Sequence, residues 1–256
     1  MTFKVTILGC GTSSGVPRIG NDWGDCDPLE PKNARTRVSI LVESPTTRIL
    51  VDTSPDMRAQ LLAAGVVHID AILWTHDHAD HCHGIDDVRQ LFHHAGSPIL
   101  GFARRPTLNL LKMRFGYAFE GRDGYPSTID GQILPDALSI GDIQIRCVDQ
   151  PHGSIFSTGF RFTHRNRSIG YATDFHEVTT DMLSLYDGLD VWVVDALRQR
   201  PHPTHPHLAQ TLAAIGSVKP GRAILTHMDN SMDYSALRKT LPDNVEPAFD
   251  GMMVTL

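Results

Sequence analysis

Cysteine is scarce in this chain. Four occur in 256 residues, at Cys10, Cys26, Cys82 and Cys147. They are scattered and form no CxxC pair, so no disulfide framework is implied. Positive charge is also short, with 23 Lys and Arg against 29 Asp and Glu and a formal net charge of -6. That argues against a nonspecific nucleic-acid binder while leaving room for a local basic pocket. No apolar run approaches membrane-spanning length. The start, Met1 to Val5, reads as a strand and lacks the charged, apolar and small-residue segments of a signal peptide. The expectation is a cytoplasmic protein with no membrane partner. Long linkers and repeats are missing too, which favours a single domain over residues 1–256. The remaining composition, 41% hydrophobic and 20% charged, is that of a globular protein with a full core.

The richest stretch is Trp74–His83, W-T-H-D-H-A-D-H-C-H. His76, His78, Asp80 and His81 follow the apolar run Ala71-Ile72-Leu73-Trp74, so a strand delivers them to a turn. Imidazole nitrogen and carboxylate oxygen hold Zn²⁺ or Mn²⁺ in open, reactive sites. Four such groups in six residues are too many for one tetrahedral ion with a vacant position. His76 and His78 are therefore expected to serve one ion, and Asp80 and His81 a neighbouring one. The competing reading is a solvated, histidine-rich turn.

Short β-rich runs alternate with amphipathic stretches. Strands are expected at Val5–Leu8, Val38–Val42, Arg48–Val51, Ile72–Trp74, Ile143–Val148, Gly159–Phe162, Ser168–Ala172, Val191–Val194 and Ala223–Leu225. Helices are expected after Ser54-Pro55 up to Gly65, over Asp86–His94, near Val178–Tyr186 and near His207–Gly216. This alternation, in two halves of similar content, predicts sheets covered by helices. Pro17–Arg37 and Phe115–Pro135 read as irregular functional loops. Trp23 is expected to hold the first of these over one edge of the active-site cleft.

Three later residues sit at strand C-terminal ends, where sheet proteins assemble sites: His152, Asp174 and His227. A carboxylate has two oxygens, so Asp174 can bridge two ions about 3.5–4 Å apart. His68, His164 and His176 read as surface residues. His93 and His94 lie in a helix's last turn, and Cys82 and His83 are surplus to the ligand count. His202, His205 and His207 lie in a proline-stiffened loop leaving a strand, a good place for an acid–base histidine. Asp52 and Asp195, at strand ends, are candidate supports for the ligands. Arg104, Arg105, Arg198 and Arg200 are candidate phosphate contacts.

These residues resemble the metallo-β-lactamase superfamily, whose mark is T-H-x-H-x-D-H followed by single His, Asp and His ligands. The opening Leu8-Gly9-Cys10-Gly11-Thr12-Ser13-Ser14-Gly15-Val16-Pro17 and the ending Phe249-Asp250-Gly251-Met252 are similar to its PhnP-like branch, relatives of a phosphoribosyl cyclic phosphodiesterase, with tRNase Z more distant. The resemblance implies an α/β fold, an αββα four-layer sandwich of two mixed β-sheets flanked by helices. It implies two divalent ions (Zn or Mn, with Fe possible as a third choice) and hydrolysis of a small phosphodiester. Its ligands fall on His76, His78, His152 and Asp174 for one metal and on Asp80, His81, Asp174 and His227 for the other. Its catalytic histidine falls on His205, and Asp80 would also steer the attacking water. The phosphonate enzyme holds an extra structural zinc through a cysteine cluster and a late histidine. Here that loop has Cys26 alone and Asn230 stands near the histidine position, so no such zinc is expected. A tRNase Z-type nuclease, a thioester or lactone hydrolase, a redox di-iron protein and a non-catalytic binder remain as alternatives. Nucleic acid is not favoured as a partner, and a homodimer is left open.

Overall fold

The computed structural model describes residues 2–256. Its first sheet is built from β1 (Lys4–Gly9), β2 (Ser39–Glu43), β3 (Arg48–Val51), β4 (Ala71–Leu73), β5 (Ile99–Ala103) and β6 (Ile129–Ile133). The second carries β7 (Ala137–Ile140), β8 (Ile143–His152), β9 (Ile155–His164), β10 (Arg167–Ala172), β11 (Val191–Asp195), β12 (Arg222–Thr226) and β13 (Val245–Pro247). The late strand β14 (Met253–Thr255) returns to the first sheet. The orders are β14-β1-β2-β3-β4-β5-β6 and β13-β12-β11-β10-β9-β8-β7. Both sheets are mixed: β3 to β6 run parallel and so do β10 to β13, with antiparallel pairs beside them.

The helices are α1 (Met57–Ala63), α2 (Ala79–Cys82), α3 (Val88–Ala95), α4 (Arg105–Glu120), α5 (Thr180–Tyr186), α6 (Leu208–Val218) and α7 (Tyr234–Thr240). The period-2 pattern of the strands explains the layering. In β2 and β3, Ile40, Val42, Ile49 and Val51 join one apolar cluster with Phe160, Phe162 and Tyr171 of the second sheet. Their alternate neighbours Leu41 and Leu50 join another cluster with Met57, Leu61, Val88 and Leu111 of the covering helices. Both faces are buried, which is why these strands read as continuous apolar runs.

Several boundaries differ from the sequence expectation. β8 and β9 are ten residues each, longer than Ile143–Val148 and Gly159–Phe162, because their polar residues pair in a hairpin that projects beyond the sheet. The segment Phe115–Pro135 is not one irregular loop. Phe115–Glu120 ends α4 and Ile129–Ile133 forms β6. The apolar positions Leu108, Leu111, Ala118 and Phe119 bury one face of α4 despite Gly116, and the helix kinks at Phe115 (φ -123°, ψ 35°). Gly101 in β5 makes room for the Trp74 ring and Ile129. A Cβ there would lie 2.6 Å from the Trp74 ring, which is fully buried beneath the histidine turn. Pro17–Arg37 is irregular apart from a short 3-10 turn at Pro31–Asn33. Among the described residues no helix is long and apolar enough to cross a membrane.

Candidate metal centre

The site lies where the strand ends of both sheets meet. β4 stops at Leu73 and the chain turns through Trp74 and Thr75 into His76, Asp77 and His78. His78 caps α2, a single turn that presents Asp80 and His81. His152 ends β8, Asp174 follows β10, and His227 follows β12. Thr158 of β9 donates its N–H to the Thr75 carbonyl at 2.9 Å, which ties the second sheet to the turn.

Three of the strand-end residues hold positive φ: Asp52 (64°), Asp174 (58°) and His227 (58°). Left-handed backbone at non-glycine residues is strained by roughly 1–3 kcal/mol and persists where the surroundings over-determine it. Each of these residues is buried and tied into the same polar cluster.

The geometry divides around Asp174. Its Oδ1 lies 3.8 Å from His76 Nε2 and 3.6 Å from His152 Nε2, and His152 Nε2 lies 3.3 Å from His78 Nδ1. Its Oδ2 lies 3.2 Å from His81 Nε2 and 3.6 Å from His227 Nε2. Asp80 Oδ2 stands 3.5 Å from each of the latter two nitrogens. Two ligand atoms bound tetrahedrally to one ion at 2.0–2.1 Å lie about 3.4 Å apart. The spacings on each side of Asp174 are those of ligand atoms that could share one divalent ion. Buried Nε2 atoms of His76, His81 and His227 have no hydrogen-bond partner, as befits nitrogens kept for a metal. The residues present fit two divalent ions.

Supports surround the ligands. Asp52 Oδ2 is 2.7 Å from His81 Nδ1, and its carboxylate also accepts from Thr75 N and Oγ1 at 2.8 Å. The Thr204 carbonyl accepts from His152 Nδ1 at 2.9 Å. Asp195 Oδ2 accepts from Asp174 N at 2.9 Å and lies 3.0 Å from His205 Nδ1. That contact fixes the other ring face, so His205 Nε2 points inward and stands 3.7 Å from Asp174 Oδ1. The His205 ring also stacks on His227, with centroids 4.9 Å apart.

Electrostatics follow from burial and carboxylate density. Burial, with neighbouring imidazoles, pushes His76 well below its ordinary value. Burial pulls His81 and His227 the same way, but the carboxylates of Asp174 and its neighbours outweigh it. His81 ends well above the usual range and His227 at about 9. Burial works to raise Asp174 and Asp80, yet the surrounding histidines hold both well below the carboxylate range. Protons on His81 and His227 thus supply positive charge on their side of the site, where an ion would displace them, whereas burial already pushes His76 and His152 below their ordinary values.

The expected surface histidines divide. His68 is exposed; His164 is buried, with its ring near Phe3 and its Nδ1 3.4 Å from Asp142; and His176 is half-buried, accepting from Gly153 N at 3.2 Å. His202 lies beside His205, with ring centroids 5.1 Å apart, whereas His207 caps α6. Arg198 spends its guanidinium on the carbonyls of Arg200 and Pro201.

The loop before β2 is anchored by a residue that sequence reading missed. Arg35, 2% exposed, donates to the carbonyls of Met232 (2.6 Å) and Asp229 (3.3 Å) and to Asn33 Oδ1 (3.2 Å), with Cys26 Sγ at 4.0 Å. Trp23, by contrast, is half-buried and donates to Asn21. The glycine-rich segment also braces this region, since Met228 N donates to the Cys10 carbonyl and Gly11 N to that of Thr36.

Residues 47–228 match the family described as a beta-lactamase superfamily domain. A solved structure of a new diphosphatase from the PhnP family is 33% identical, with a TM-score of 0.91 over 100% of this chain and 98% of that one. The chain belongs to the beta-lactamase superfamily, in its PhnP-like branch. Among curated relatives, an octanoyltransferase of Porphyromonas gingivalis is 28% identical over 97% of this chain and 51% of that protein. A Ribonuclease Z of a Bradyrhizobium species is 30% identical over 52% of this chain and 46% of its own. This superfamily member therefore spans about half the length of the curated relatives it matches. The PhnP-like chain carries histidine and aspartate clusters that could hold a metal ion.

Proposed function

We propose that this chain is a dinuclear metal-dependent hydrolase of phosphodiester or diphosphate bonds in small molecules. The observation that carries the reading is the division of labour at Asp174, whose two oxygens each face a separate set of histidines. His76, His78, His152 and Asp174 would hold one ion, and Asp80, His81, Asp174 and His227 the other. Ions held there supply the acidity that makes water a nucleophile near neutral pH and the positive charge that polarises a phosphoryl group.

The chain's own residues do the rest. Asp52 and Thr204 fix ring orientation and leave the inward nitrogens of His81 and His152 free. Asp80 directs a carboxylate into the site from the first turn of α2, where it can orient the attacking water. Asp195 holds the His205 ring with Nε2 facing inward, and that nitrogen delivers a proton to the departing alkoxide. The PhnP-family diphosphatase supports the phosphate reading by its identity across the whole chain.

A second reading, hydrolysis of a medium-chain acyl thioester or ester, draws on the name of the Porphyromonas gingivalis relative. One screen separates the two. Protein reconstituted with Zn²⁺ or Mn²⁺ is assayed on bis(4-nitrophenyl) phosphate, on a dinucleoside diphosphate and on an octanoyl thioester. Turnover of a phosphate substrate that is lost with EDTA is the expected result. Turnover of the thioester alone overturns the phosphate reading in favour of the second.

A further inference from the structure

A cavity of about 550 Å³ opens beside the metal centre, between the start of α4 and the projecting β8–β9 hairpin. It lies within the volume range of small-molecule sites, roughly 300–1,000 Å³. Two of its lining residues are close chain neighbours of candidate ligands. Asp77, between ligands His76 and His78, lines it, and so does Ser154, two residues beyond His152. Nothing in the chemistry described above uses it.

The lining has two parts. One is apolar and open: Phe156 of β9 is 64% exposed and Ile133 of β6 is 44% exposed, with Leu110 and Pro106 between them. An aromatic ring left in water beside a catalytic cleft is a ready stacking face. The other part is charged. Asp77 is held by Arg114 at 2.6 Å, and Asp136 and Asp149 are both held by Arg104 at 2.8 Å. Those contacts make a rigid wall and occupy the carboxylates. Arg105, exposed at the first position of α4, has no carboxylate partner among the described residues.

We infer that this cavity receives the part of the substrate not engaged by the metals. Its occupant is a nucleoside diphosphate-like group, with a flat ring on Phe156 and the inner phosphate on Arg105. The outer phosphoryl group then falls toward the His76, His78 and His152 side of the centre. The inference deepens the phosphate-cleaving reading and rests on it.

The test compares inhibition of metal-loaded protein by inorganic phosphate, AMP and ADP during hydrolysis of bis(4-nitrophenyl) phosphate. Phosphate reaches only the metals, AMP carries the ring and the inner phosphate, and ADP adds the outer phosphate. Phe156→Ala is expected to raise the Ki of AMP and ADP roughly three- to tenfold relative to that of phosphate, the size of one aromatic contact. Arg105→Ala is expected to raise the Ki of AMP and ADP, which both carry the inner phosphate, relative to that of phosphate. Ki values for all three that move in parallel in both variants overturn the inference while leaving the phosphate reading intact. Phe156→Trp supplies a readout independent of turnover: its emission should be quenched saturably by ADP and not by phosphate. A protein inert to every phosphate substrate defeats the earlier reading. An unquenched tryptophan then defeats the cavity assignment as well.

Discussion

Asp174 is buried, with one oxygen turned to each of two sets of histidines, and in the proposed dinuclear centre it would be shared by both ions. Asp174→Ala leaves two cations facing each other with no anion between them. Metal analysis should find one ion or fewer per chain instead of two, and kcat should fall by more than the 10–100-fold typical of losing a mere supporting residue. Asp52→Asn is such a supporting change. It removes the charge 2.7 Å from His81 Nδ1, and chelator competition should show metal affinity weakened by roughly 10–100-fold. His205→Ala should leave both ions bound and lower kcat by roughly 10²–10⁴. That defect should shrink for a 4-nitrophenolate leaving group, which departs without a proton; an equal loss on both ester types would make His205 a ligand or binding group instead. The residues that the fold gathers around Asp174 were legible in the sequence because four of them are packed into six positions, and the others sit at or just after strand ends. Arg35 was not legible. Its partners at Asp229 and Met232 are some 200 residues away in sequence, and only the folded chain brings them together.

At the scale of elements, strand ends and caps decide where these side chains point. The β-rich runs and most helices could be read from period and punctuation, because apolar alternation and Gly or Ser-Pro signals are local. The kinked α4 and β6 could not. Gly116, Gly121, Gly124 and Gly131 mimic a loop, and the helix is held by burial of Leu108, Leu111 and Phe119 against the sheet, a tertiary effect. Cap chemistry is exposed to test at α7. Asp233 caps it by accepting from Ala236 N at 2.8 Å and also holds Asn33 Nδ2 at 2.7 Å, which docks the loop before β2. Burial works to raise its carboxyl, but hydrogen bonds from Asp27 N and Ala236 N outweigh that and lower it. A depressed folded value means its stabilisation is fully present above about pH 4, the ordinary carboxylate value, and is lost as pH falls through the folded value. Asp233→Ala should therefore cost about 1–2 kcal/mol in urea denaturation of metal-free protein at pH 7. The gap between variant and parent should narrow steadily below pH 4.

Across the whole molecule, the metal centre is the seam between two sheets. His76, His78, Asp80 and His81 come from the first and His152, Asp174 and His227 from the second, so bound ions cross-link the halves. Ions present at a thousand times their dissociation constant stabilise the native state by about 4 kcal/mol. For a chain of this size that shifts Tm by on the order of ten degrees. Calorimetry of the loaded protein against the EDTA-treated protein should show that difference, and coincident transitions would mean that no ion binds in the native state. The first sheet is closed by a pairing between distant parts of the chain, where Lys4 of β1 lies opposite Thr255 of β14. β14 is made nearly the whole length of this sequence after β1. Between the two, the nascent chain carries β1 with one flank bare, its amides and carbonyls open to any passing strand, and a copy clipped just before Met253 keeps that sticky flank for life.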